Sequence, residues 1–75
     1  MNENAIRNAL TIYNERYDQT IGSAIALLQQ ARGKPASDHL GHNLANRATD
    51  LSVLAGKIAA MDDVLAELTM MKKEQ

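Results

Sequence analysis

The sequence predicts an all-α protein: an antiparallel two-helix hairpin, coiled-coil-like in its packing, that dimerises into a four-helix bundle. Three observations predict it. Leu40, Leu44, Leu51, Leu54, Ile58, Met61, Leu65 and Leu68 follow one another at spacings of four and three, with Arg47 in the one slot left open. This is the heptad seam of a long helix that lies against another. Ile6, Leu10, Tyr13, Tyr17, Ile21, Ala24, Leu28 and Ala31 recur close to the helical repeat of about 3.6 residues and so share one face. Between the two runs, Gly33-Lys34-Pro35 is the one strong break. The 75 residues are therefore read as a single domain, with a helix over 3–32, a turn over 33–37 and a helix over 38–73.

Asn2 is placed to cap the first helix, with Glu3 at the positive end of its dipole. Gly33 suits the left-handed residue that follows a helix end, and the residue before Pro35 avoids helical angles. The second helix starts at Pro35 or Asp38, with Ser37 available as a cap in the latter case, and Lys72 and Lys73 suit its negative end. A connection this short makes the helices antiparallel neighbours. Folding about it sets Tyr13 near Ala55, Tyr17 near Leu51 and Ile21 near Ala48, so that the tyrosines face a row of small residues, Gly41, Ala48 and Ala55. It also leaves residues from about Glu67 onward without an opposite number, and Leu68, Met70 and Met71 in that overhang call for a partner.

A two-helix unit buries one side of each helix, yet Ile12, Ile25, Leu27, Val53 and Val64 lie off the expected seam. Residues 21–28 are apolar nearly all round, the pattern of a helix covered on all sides. A second copy of the hairpin supplies the cover most economically. The expected oligomer core is Leu44, Arg47, Leu51, Leu54 and Ile58 from the second helix with Ile21, Ile25 and Leu28 from the first.

Composition narrows the function. A formal net charge of −1, with eight basic residues scattered along the chain, disfavours nonspecific binding to nucleic acid. Tyr13 and Tyr17, the only aromatics, sit on the core stripe rather than on a stacking platform. There are no cysteines, so disulfides and thiolate metal sites are excluded. His39 and His42 stand three apart beside Asp38, but two imidazoles without further ligands make no metal site, and no metal or cofactor is expected. The acidic residues Asp62, Asp63 and Glu67 read as a solvated face or a patch for a basic partner. Arg47 in the seam is expected to pack its stem and carry its guanidinium to the edge, towards Asp50, the alternative being a buried polar residue that fixes register or oligomeric state. No nucleophile has a neighbouring base and no Gly-rich loop cradles phosphate, so no enzyme is expected. The N-terminal stretch has no signal-peptide pattern and no apolar run suits a membrane, which makes the cytoplasm the expected location.

The expected function is a small protein–protein interaction module, acting as an inhibitor, regulator or co-chaperone through its helical faces. Its partner site is placed at the open end of the hairpin, at Ile12, Val64, Leu68, Met70 and Met71, since methionines adapt readily to a partner helix. An RNA-binding hairpin dimer is the alternative.

Overall fold

A computed structural model describes residues 2–74 as two helices, α1 (Glu3–Ala31) and α2 (Asp38–Glu74), which lie antiparallel as a hairpin. Asn2 caps α1: its side-chain oxygen accepts from the Asn4 N–H at 2.8 Å, and its carbonyl accepts from the Ile6 N–H. The chain leaves α1 through a type II turn. Arg32 has φ −62° and ψ 126°, Gly33 has φ 81°, and the Lys34 N–H donates to the Ala31 carbonyl at 3.1 Å. That turn needs a left-handed third residue, the conformation glycine adopts without penalty. Pro35 stays outside the helix. At the start of α2 the Gly41 N–H donates to the Ser37 carbonyl, which makes Ser37 the residue that opens it.

The hairpin is a rod of 62 × 15 × 14 Å with a radius of gyration of 17.4 Å. A compact domain of this length would have about 11 Å.

Along α2 the heptad seam runs without interruption: Leu40, Leu44, Arg47, Leu51, Leu54, Ile58, Met61, Leu65 and Leu68 are all half-buried against α1. On α1 the covered row is Ile6, Leu10, Tyr13, Tyr17, Thr20, Ala24, Leu27 and Ala31, also at alternating spacings of four and three, with Ile21 half-covered beside it. This departs from the expected face at two positions: Thr20 stands in the row with Ile21 beside it, and Leu28 is left out. Leu28 is 52% exposed and Leu27 takes the seam in its place. Two helices that stay in contact over eight turns keep a repeat of about 3.5 residues, and the straight-helix repeat drifts off that line by the end of α1.

Two interhelical contacts fix the register, Arg47 with Ser23 and Lys57 with Tyr13. Residues whose numbers add to about 70 stand level with one another in this antiparallel pair. Two further expectations are corrected. Gly41, Ala48 and Ala55 do not face the tyrosines: all three are exposed, and a Cβ added at Gly41 would meet nothing within 4 Å. Tyr13 leans to the opposite flank, where the Lys57 ammonium lies 5.3 Å from its ring centroid. Nor does the unpaired overhang include Leu68, which is half-buried in the seam, while Lys72 reaches back to pair with Glu3.

Candidate protein-interaction interface

Two flanks border the seam, and each collects one residue per heptad from each helix. On the first stand Ala9, Arg16, Ser23 and Gln30 of α1 with Asn43, Asp50, Lys57, Val64 and Met71 of α2. Shallow grooves open along it. One is lined by Arg16, Gln19, Thr20, Asp50, Val53 and Leu54, and another by Ser23, Arg47 and Asp50 with Gln19 and Thr20. Towards the open end the flank becomes apolar, and a recess of about 170 Å³ is lined by Ile6, Ala60, Met61, Val64 and the Lys57 stem. Ile6 forms its floor and is the most deeply buried side chain among the described residues, at 1% exposure.

The second flank carries Arg7, Asn14, Ile21 and Leu28 of α1 beside Gly41, Ala48, Ala55, Asp62 and Thr69 of α2. One step further out lie Ile25 on α1 and Ala45, Ser52, Ala59 and Ala66 on α2. Nothing within the hairpin covers this α2 surface: every one of these α2 residues is exposed.

The residues expected at the open end divide. Val64 lines the recess, Ile12 is exposed on the same side of α1, and Met70 and Met71 are 62% and 58% exposed beyond it, whereas Leu68 belongs to the seam. Those expected in an oligomer core divide as well. Leu44, Arg47, Leu51, Leu54, Ile58 and Ile21 are half-buried within the hairpin, and Ile25 and Leu28 are exposed. Ile6, Ala60 and Met61 form the recess without having been singled out as site residues. Ile6 and Met61 do show in the two seam patterns, and only folding brings Ala60 beside them.

Arg47 does not pair with Asp50. Its Nε donates to Ser23 Oγ at 2.9 Å and its Nη1 donates to the Asn43 carbonyl at 3.1 Å, so it ties the two helices together at the seam edge. Ser23 was legible only through the register, being the residue level with Arg47. At the open end the Glu3 carboxylate accepts from Lys72 and from Arg7. The Lys72 hydrogen bond, then that from Arg7, holds its pKa below the usual carboxylate value.

Among the described residues no group of three or more His, Cys, Asp or Glu side chains is arranged to hold a metal ion. Nor, among the described residues, is any helix long and apolar enough to cross a membrane. What the arrangement offers chemically is exposed apolar area along two flanks, edged by charge. The chain matches no protein-family model, no curated protein and no solved structure.

Proposed function

We propose that this protein is a non-enzymatic interaction module: a helical hairpin that dimerises into a four-helix bundle and binds a protein partner at its open end, as an inhibitor, regulator or co-chaperone. One observation carries this reading. Among the described residues only Ile6 and Leu10 are buried, and the chain exposes 5824 Å². A compact folded protein of 8.2 kDa would expose about 4,500 Å². The exposed side chains include the large apolar residues Ile12, Ile25, Leu28, Val53, Val64, Met70 and Met71.

The partner site is the recess at Val64 and Met61 with Met70 and Met71 beyond it. An apolar helix fits a groove of this kind, and flexible thioethers mould to it.

The test is a photo-crosslinking residue at Met71 of the full-length chain, expressed in the cells that make it, with and without Val64→Asp. A discrete adduct with one other protein, lost in the Val64 variant, is the expected result. Adducts only between copies of this chain, or none, overturn the assignment of the open end to a partner.

A further inference from the structure

The apolar half of the first flank has the symmetry of a surface that fits itself. We infer that a second copy of this chain docks there, open end over open end, with the two α2 helices antiparallel about a two-fold axis that passes between Ala60 and Val64. The inference rests on the reading of the open end as a helix-binding site, and it names what fills that site when the partner does not.

The α2 row that looks out over this flank is Val53, Lys57, Ala60, Val64, Glu67 and Met71, spaced alternately by four and three and exposed throughout. From its middle outward the row is palindromic in chemistry: apolar Ala60 and Val64, then the opposite charges of Lys57 and Glu67, then apolar Val53 and Met71. With this axis, residues whose numbers add to about 124 stand level across the joint. Lys57 meets the second copy's Glu67, Ala60 meets its Val64 and Val53 meets its Met71, and the two-fold repeats every contact. Two pairs of opposite charges therefore face each other within an otherwise apolar seam. Asp62 lies on the far flank. Asp50 falls level with the second copy's Glu74 at the rim, where Arg16 lines the same groove as Asp50.

The first helix agrees on the same axis. In the hairpin register Asn8 is level with Asp62, so Ala9 comes against the second copy's Ala9 and Ile12 against its Ala5. One contact thus covers Ile12, Val53, Val64 and Met71, four of the seven large apolar side chains exposed among the described residues. An axis level with Leu54, which would overlap the hairpins in full, pairs Asp50 with Lys57 but sets Arg16 against Arg16 and leaves Val64 level with Asn43.

The overlap runs from about Asp50 to the end of α2, about 36 Å at 1.5 Å per residue. On a rod 15 Å wide this is a footprint of about 540 Å² on each hairpin, or about 1,000 Å² in total, the lower bound of a specific interface. A joint of that size exchanges readily, which suits a surface that a second copy holds and a partner takes over.

The chain has no cysteine, so introduced thiols report single contacts. Val53→Cys and Met71→Cys variants of the full chain are oxidised separately and as an equimolar mixture. Across the inferred joint, the same position in the two copies is separated by about 27 Å along the helix axes, far beyond disulfide reach. Only the mixture is therefore expected to crosslink, between the two different variants. Val53→Cys crosslinking to itself places the axis at Leu54 and overturns the inference, as does the absence of any crosslink. In parallel, light scattering across a dilution series follows wild type, Lys57→Glu, Glu67→Lys and the double variant, with helicity by circular dichroism as the control for folding. Each single change is expected to raise the dimer dissociation constant about tenfold, by setting like charges together twice, and the double change to restore it to within about threefold. Lys57 and Glu67 stand about 15 Å apart on one helix, too far to pair within a chain, so rescue reports a contact between chains. A double variant as weak as the single ones overturns the arrangement, and a wild type monomeric at every concentration overturns self-association itself. If these tests fail while the Met71 adduct with another protein persists, the inference falls and the partner reading stands. If the crosslink and the rescue hold and that adduct is never found, the second copy is the occupant of the site and the partner reading falls.

Discussion

Arg47 breaks an otherwise apolar seam, and its guanidinium spans from Ser23 on α1 to the Asn43 carbonyl on its own helix. A polar residue in a heptad seam fixes register at a cost in stability. Arg47→Leu is therefore expected to raise the thermal midpoint, the lost hydrogen bond to a half-exposed group being smaller than the gain from a continuous leucine row. Circular dichroism melts at one fixed concentration check this. At the turn, Gly33→Ala forces a Cβ into the left-handed region and is expected to cost about 1 kcal/mol, whereas Gly56→Ala is expected to add up to about 1 kcal/mol in an open helical site. Opposite signs for one chemical change separate a turn glycine from a helical one. Glu3 supplies a pH dependence. Its pKa is lowered in the folded chain by Lys72 first and Arg7 second, so its contribution is present above the ordinary carboxylate range and disappears as pH falls through the folded value. In low salt, the stability difference between wild type and Glu3→Gln is expected to shrink between pH 6 and pH 3, a pH range of about one unit either side of ordinary carboxylates. At moderate salt it should be small throughout, the pair being on the surface.

At the scale of the helix, what was legible is whatever a single repeat specifies. The α2 seam was complete in the sequence, because nine positions at strict heptad spacing leave no choice of face. The Gly33-Lys34-Pro35 break was equally plain, since each residue has its own reason to end a helix. On α1 the apolar residues are denser than one face requires. With Leu27 and Leu28 adjacent, only the supercoiled partner decides which is covered, and the choice fell to Leu27. The small residues of α2 were visible as a repeat, but their direction was not. Gly41, Ala48 and Ala55 fit equally well against tyrosines or against another chain until the register placed Tyr13 on the flank of Lys57. The open-end recess was hidden for a similar reason, because Ile6 and Val64 come from different helices. The exposure of Leu28 has a measurable consequence. Leu28→Ala is expected to leave the hairpin register unchanged, while Leu27→Ala, which empties a seam position, destabilises the chain by about 2 kcal/mol.

For the whole molecule, shape governs stability. A rod with a radius of gyration of 17.4 Å and two buried side chains among the described residues keeps most of its seam in partial contact with water, and half-covered leucines return only part of the roughly 25 cal/mol per Å² that full burial gives. Small domains stand near the balance point of burial and chain entropy in any case. Where such hairpins associate, association becomes part of the folding equilibrium, and stability depends on protein concentration. If the folded state is a dimer of hairpins and the unfolded state a single chain, each tenfold rise in concentration favours folding by about 1.4 kcal/mol of dimer, and the thermal midpoint climbs by several degrees. A hairpin that folds alone has a midpoint independent of concentration. Melts across a hundredfold dilution series, followed by far-ultraviolet circular dichroism, are expected to show the climb in wild type.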